Sequence, residues 1–355
     1  MANICVAVRR IVRTIALASL VLSGCAIEDA GFDCGVEAQV AKAAKETSKL
    51  PPEGFYEAAR NGDVRQVREY ISSGVDVDGA DAEVILKAED GYEIRNRGAT
   101  ALILAANSGH FDVAEALACA GANVNAETDA GETALHRATD RGDEKLVRAL
   151  LIHGADTSPQ PTGFVGTVLH TASGMGEIGI VQALLDAGAN PNALGPSQIT
   201  PLQIAINEGN DEVVELLLER GALPDPQAQG SPTTALHIAA TKGDLAAVRL
   251  LLAHSANPDS LNHEGSTPLL EAVAEENTRV AELLLRHGAN PNIRNSHLDS
   301  ALSWAVYKDN TDLVRTLLDN GADPLLQDRD GETALAFAKS ERVRKLLRHA
   351  AATAE

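Results

Sequence analysis

Six histidines at matched positions are the first residues in the chain with chemistry suited to holding a metal or moving a proton. His136, His170 and His237 each stand three places after a threonine, at Thr133, Thr167 and Thr234, while His153, His254 and His287 each stand just before a Gly or Ser that closes an apolar stretch. Neutral imidazole is a zinc ligand and a base near neutral pH. A zinc site, however, needs several such donors converging on one point, usually from Cys pairs or His residues one helical turn apart. Neither a Cys-x-x-Cys nor a His-Glu-x-x-His spacing occurs, nor does a Gly-rich phosphate loop or the Gly-x-Ser-x-Gly surround of an activated serine. Four cysteines are present, Cys5, Cys25, Cys34 and Cys119. No catalytic constellation, metal or cofactor is implied by these residues, and no enzyme is predicted.

The histidines are regular because the whole chain is. A phrase made of a small hydroxyl residue, a small residue or Pro, then Leu, with Ala further on, begins at Thr100, Thr133, Thr167, Thr200, Thr234, Thr267 and Ser300, and once more at Thr333. Successive starts are 33 or 34 residues apart. A second phrase, Leu followed by Gly-Ala and usually Asn or Asp, keeps the same beat at Gly121, Gly154, Gly188, Gly221, Ser255, Gly288 and Gly321. Two phrases locked to one period define a tandem array, in which each unit buries its apolar face against its neighbours. Within the unit starting at Thr133, that residue caps a short helix holding Leu135 and Ala138, and Gly142 ends it. Leu146, Val147, Leu150 and Leu151 then recur at helical spacing before Gly154 supplies a left-handed stop. One unit therefore reads as turn, helix, turn, helix, loop.

At these residues the chain resembles the ankyrin-repeat family, whose units open on Thr-Pro-Leu-His. Thr-Ala-Leu-His stands at Thr133 to His136 and at Thr234 to His237, and Thr-Pro-Leu opens the units at Thr200 and Thr267. The resemblance implies an all-α solenoid of stacked helix-turn-helix units with projecting β-turn loops. It also implies that His136, His170 and His237 hold the turns by hydrogen bonds. Residues 53–349 are expected to form the array, with eight full units and a truncated cap opened by Thr333. Its helices should be shortened, and Arg342, Arg344, Lys345 and Arg348 should give it a basic side. An atypical first unit starts near Glu53. The interval from Gly74 to Gly121 is 47 residues, and its surplus falls around Gly79 to Arg95, the longest loop of the array. Residues 350–355 read as a tail.

The start of the chain has a different grammar. Arg9, Arg10 and Arg13 precede an apolar run from Ile15 to Leu22, and Leu22-Ser23-Gly24-Cys25 follows. A charged start with a short apolar core reads as a secretory signal over residues 1–24, and the run is short for a membrane span. The last four residues resemble the bacterial lipobox, which implies cleavage before Cys25 and its lipidation. Ala26 after the cysteine favours, by that resemblance, the outer membrane, with the array facing the periplasm. Residues 25–52 form a tether or an N-terminal cap segment. Val36 to Lys49 has the composition of a short helix, and Pro51 and Pro52 mark the junction with the array.

Cys5 leaves with the signal and Cys25 takes the lipid, so Cys34 and Cys119 remain for an oxidising compartment. They either pair, stapling the tether to the array, or stay as two thiols. Cys119 falls where ankyrin units usually place a partly exposed polar residue. The full chain carries 30 basic and 50 acidic residues, a net charge of −20; without the signal the balance is −23. Such a surface excludes nucleic acid, which demands clustered Lys and Arg. It also leaves the lipid as the sole attachment to a membrane.

Binding is the remaining class of function. In ankyrin arrays the concave face is built from loop tips and from the last positions of the first helix of each unit. Among these are Asp140 and Arg141, Met175, Glu275 and Glu276, and Tyr307 and Lys308, with Phe164 in a loop. Met175, Tyr307 and Phe164 have the side chains enriched at interface cores. Trp304 stands where a packing aliphatic is usual and serves either the core or a ligand. The expected partner of this monomeric array is a protein with a basic patch. Two roles share the surface: an interaction module in the bacterial envelope, and an immunity or inhibitor lipoprotein that neutralises a toxin or enzyme in the periplasm.

Overall fold

The computed structural model describes residues 52–354 apart from 82–83, 88–92, 97, 162–165, 196–197 and 226–232. Cys25, Cys34, Phe164 and the segment from Val36 to Lys49 lie outside the described residues. Helices come in pairs: α1 (Glu53–Asn61) with α2 (Val64–Ser72), α3 (Ala101–Ser108) with α4 (Phe111–Cys119), α5 (Ala134–Asp140) with α6 (Glu144–Ile152), and α7 (Val168–Met175) with α8 (Ile178–Asp186). The series continues with α9 (Pro201–Glu208) and α10 (Asp211–Glu219), α11 (Ala235–Lys242) and α12 (Leu245–Ala253), α13 (Pro268–Ala274) and α14 (Thr278–Arg286), and α15 (Ala301–Tyr307) and α16 (Thr311–Asp319). A 3-10 turn at Ala334–Phe337 and α17 (Glu341–Ala354) close the array. First helices pack on first helices of the next unit and second on second, so the stack is continuous.

The repeated phrases account for the helix ends. Thr133, Thr200 and Thr267 each accept, through the side-chain oxygen, the backbone N–H three residues on, at 3.4, 3.3 and 3.2 Å, which satisfies a donor the helix leaves orphaned. Thr234 occupies the same N-cap position of α11. Most second helices start on Asp or Asn, with His110 before α4 and Glu177 before α8 as exceptions: Asp143 caps α6 through Leu146 N, and Asn310 caps α16 through Leu313 N. Between each pair the chain turns through a left-handed residue. Gly176 (φ 76°) and Gly243 (φ 72°) need to be glycine twice over, because a Cβ there would also meet the side chains of Asn210 and Asn277 at 2.8 and 2.6 Å. Those two asparagines reach back to the first helix of the preceding unit, Asn210 donating to Ser173 and Gly174 O and Asn277 to Ala240 and Thr241 O.

Apolar residues of each pair form one uninterrupted core that runs the length of the stack, with Leu135, Val147 and Leu150 of one unit typical of the set. At the first unit Phe55, fully buried, meets Tyr70 edge-on with ring centroids 5.7 Å apart, so aromatic bulk joins the paired helices there.

Units are also clasped through their loops. Asn125 Oδ1 accepts Asp156 N at 2.7 Å while its Nδ2 donates to Gly154 O, and Asn192 repeats both bonds with Leu223 N and Gly221 O. Asn292 does the same with Asp323 N and Gly321 O. Asp78, Asp225 and Asp259 keep only the accepting half, from Asn123, Asn257 and Asn290 N. A carboxylate offers no donor, so the second bond is lost.

Three features depart from the sequence expectations. The long loop is partly an antiparallel ribbon: β1 (Ala80–Asp81) pairs with β4 (Ala99–Thr100), and β2 (Val84–Lys87) pairs with β3 (Glu93–Asn96) in the register Val84 to Asn96. The closing unit has a 3-10 turn for a first helix, but α17 is lengthened to 14 residues rather than shortened. It runs through 350–354, expected to be a tail. Arg342, Lys345 and Arg348 are exposed on it, as a capping face requires. Cys119, expected to be partly exposed, is buried.

Candidate partner-binding surface

The histidines settle into structural work. Nδ1 of His136 lies 3.3 Å from Thr133 N, and Nε2 lies 3.3 Å from Pro159 O, in the loop leading to the following unit. His170 makes the same pair of contacts with Thr167 N and Ile199 O, and His237 with Thr234 N and Ser266 O. Accepting from a backbone N–H at Nδ1 and donating to a carbonyl from Nε2 requires the neutral ring. Burial pushes the His136 pKa down to about 4, opposed more weakly by its bond to Pro159, and lowers those of His170 and His237 for the same reason. Gln203 takes the position in the unit between and makes the same contacts, accepting from Thr200 N and donating to Thr233 O.

One cluster among the described residues has metal-ligand types: Glu115, Cys119 and His153, whose donor atoms lie within 4.8 Å of one another. Cys119 is disulfide-bonded, so its sulfur is no thiolate, and the set does not fit a metal. His153 Nε2 instead approaches Glu115 Oε1 at 3.6 Å. His287 turns back on its own helix, 2.9 Å from Leu283 O. No cofactor or metal is assigned.

What the stack does build is a groove. The residue four places after each capping Thr or Ser faces it, giving in successive units Thr171, Ile204, Ile238, Glu271, Trp304 and Phe337, all at least partly exposed. At the N-terminal end this row is closed: Leu104 is fully buried, and Arg137 is buried in an ion pair with Glu132. Between the row and the loops lies a cavity of about 320 Å³ lined by Asn207, Thr233, Ile238, Thr241, Lys242 and Glu271, among others. Met175 and Tyr307 stand out on the rim, 44% and 55% exposed.

The candidate residues divide by place. Tyr307 packs edge-on against Trp304 at 5.9 Å and carries Lys339 Nζ 4.7 Å over its ring. Trp304 is thus half in the core and half in the groove, and its Nε1 is buried with no acceptor among the described residues. Lys308 lies 4.0 Å from Glu276, and Glu275 is exposed beside them, so these residues meet at the C-terminal half of the groove. Asp140 and Met175 sit farther along the array on α5 and α7. Arg141 is exposed, but its Nη1 donates to Asn107 O of the preceding unit, which gives it a tying role as well. Glu276 needs a correction of register: with φ 59° it is the left-handed stop itself, so the pair preceding the stop in that unit is Ala274 and Glu275. The row that contains Glu271 and Ile238 was missed, since one position in 33 filled by unlike side chains has no signature in residue type.

Comparison with known proteins agrees with this architecture. Models of ankyrin repeats match residues 55–161, 158–229 and 223–295, and a further ankyrin-repeat model matches residues 283–338. None of the curated proteins compared matches the chain. Among solved structures, the ankyrin repeat domain of Bcl-3, described as a unique member of the IkappaB protein family, is similar at 31% identity and a TM-score of 0.56, over 62% of this chain and all of that one. The human ASB11 ankyrin repeat domain is similar at 27% identity and a TM-score of 0.53, over 62% of this chain and 98% of that one. No catalytic family is indicated, and the array is the architecture of a protein-protein interaction module. With Thr-capped, His-bridged units in one continuous stack, and family models spanning nearly all of it, the chain belongs to the ankyrin-repeat family.

Proposed function

We propose that this protein is a lipid-anchored interaction module of the bacterial envelope that binds a partner protein through the concave groove. The observation that carries the reading is the contrast between a strict frame and a varied row: caps and stops repeat from unit to unit, while Thr171, Ile204, Ile238, Glu271 and Trp304 put four side-chain types on one accessible face. A frame conserved by packing with an unlike row upon it is what selective recognition needs. The charged start, the short apolar run and Leu22-Ser23-Gly24-Cys25 support the anchor. The disulfide at Cys119 supports an oxidising compartment, and we propose Cys34 as the other half. Among the described residues no helix is long and apolar enough to cross a membrane, and the anchor point in this proposal is Cys25. The acidic balance favours a partner with a basic patch.

The test is affinity capture from envelope fractions with the tagged protein, run beside a Trp304→Ala, Tyr307→Ala variant. A partner retained by the first and lost by the second supports the groove; equal retention moves the site elsewhere. An inhibitor role would appear as a captured toxin or enzyme whose activity falls in the complex, and a scaffold role as one whose activity does not.

A further inference from the structure

Glu271 is an odd residue to find where it is. Its neighbours in the groove row are Ile238 in the preceding unit and Trp304 in the following one, and it lines the 320 Å³ cavity with Ile238. The carboxylate is half-buried, with Asn262 Nδ2 donating to Oε1 at 3.0 Å. No basic side chain of the described residues lies within ion-pair distance of it. Lys242, on the same cavity, directs its ammonium to Asn207 O at 2.7 Å instead. Burial raises the Glu271 pKa, with Glu264 and Glu275 adding like-charge repulsion against the help of Asn262 and Ser266. A partly desolvated carboxylate among like charges is costly in the free protein, and an incoming cation removes that cost.

Resting on the groove reading above, we propose that Glu271 is the specificity point of the groove and receives an Arg or Lys side chain of an extended partner segment, flanked by apolar residues that seat on Ile238 and Trp304. The geometry sets the spacing. Adjacent helices lie about 8–10 Å apart, and an extended chain rises about 3.3 Å per residue, so one unit corresponds to about three residues of the partner. The segment recognised is therefore an apolar residue, a basic residue about three places on, and an apolar residue about three places beyond. Ile238 and the Trp304 ring supply apolar surface at either side, and the methylene stem of the basic residue crosses the cavity before its charge reaches Glu271.

Phage-displayed random dodecapeptides selected on the immobilised protein test this directly, with selected sequences synthesised and their affinities measured by fluorescence anisotropy. Expected is enrichment of Arg or Lys between two apolar positions, and a loss of about tenfold or more when that basic residue is replaced by Gln. On Glu271→Gln, which keeps an acceptor for Asn262, the same replacement should change affinity less than about threefold. Selection on Glu271→Lys should exchange the basic preference for an acidic one, with thermal melts showing both variants folded. Peptides without a basic position, or a basic preference that persists on Glu271→Gln, overturn the inference. If those peptides still lose affinity on Trp304→Ala or Tyr307→Ala, the groove stands and only the role of Glu271 falls. Peptides indifferent to every groove variant, or no enriched peptide at all, count against both.

Discussion

His237 and Ser266 are joined across a unit boundary: the imidazole Nε2 lies 2.9 Å from the Ser266 carbonyl, 29 residues further along, while Nδ1 accepts the N–H of Thr234 in its own unit. One side chain thus fixes a helix start and docks the next loop, which makes local capping and the stacking of units a single interaction. The same bridge at His136 and His170 means that the array holds several neutral rings whose protonation would make Nδ1 a donor and break its contact with the capping Thr N–H, while Nε2 keeps its bond to the carbonyl.

Acid should therefore begin to loosen the stack at a pH above the carboxylate range. The folded-state pKa values of His136, His170 and His237 lie below the unfolded value of 6.5, so their stabilising contribution is complete above that pH and is lost as pH falls through the folded values, about 4 for His136. Full protonation of His136 alone costs on the order of 3 kcal/mol. Replacing all three with Gln, the residue nature uses at Gln203, should leave the melting temperature at pH 7 nearly unchanged and flatten its fall between pH 6.5 and 4. Urea titrations over that range check the slope. An unaltered acid limb in the triple variant would place the sensitivity in other groups.

A second expectation concerns backbone strain. Glu276 occupies a left-handed stop at φ 59° where the preceding unit has Gly243, and a Cβ is accommodated because Asn310 caps its own helix instead of reaching back as Asn277 does. Glu276→Gly should stabilise the protein by about 0.5–1 kcal/mol. Its 4.0 Å approach to Lys308 is an exposed pair and offsets little of this. Asp309→Gly, at φ 57°, should gain less, since Asp tolerates this conformation and its Oδ1 accepts Ser340 N. Equal gains in chemical denaturation would argue that strain does not distinguish the two sites.

These two stops also show where sequence reading worked and where it lost its grip. Caps and stops were legible because Thr and Gly are chosen for geometry, so their types announce their roles, as at Thr200 and Gly209. Glu276 hid a stop because the required backbone angle came without the usual residue, and the register slipped by one. The hairpin from Val84 to Asn96 was passed over as a loop although Asp90-Gly91 lies between its two runs, a turn signal that a search for helical period does not weigh. At the far end, no Gly-Ala phrase follows Leu347, so nothing local stops α17 and it runs on to Ala354. The groove row stayed invisible for the opposite reason: Ile238, Glu271 and Trp304 share a place and nothing else.

Cysteine chemistry gives the third prediction. If the chain is processed as its start suggests, mass spectrometry of the mature protein should find acylated Cys25 at the N-terminus, and non-reducing peptide maps should join Cys34 to Cys119. Cys119→Ser should lower the melting temperature under non-reducing conditions and leave it nearly unchanged relative to the parent under reducing ones. An intact Met1, or a released soluble form cut elsewhere, would remove the anchor from the model of function while leaving the groove untouched.

The fourth prediction separates capture from retention. Met175 and Tyr307 are exposed on the groove rim, and Tyr307 is held by Trp304 and Lys339, so little side-chain freedom is lost when a partner covers it. Tyr307→Ala should cost about 1–2 kcal/mol of affinity, mainly through a faster off-rate. Glu275 and Asp140 are exposed acids, screened by salt, whose value lies in drawing a basic partner in. Neutralising Glu275, Glu276 and Asp140 should slow association and flatten its dependence on ionic strength, with a small effect on dissociation. Surface plasmon resonance with the captured partner at several salt concentrations reads both rates. Should an Ala variant at Phe164, Met175 and Tyr307 together bind with unchanged affinity, and circular dichroism show it folded, the concave face is not the site. The long ribbon from Val84 to Asn96 then becomes the surface to vary next.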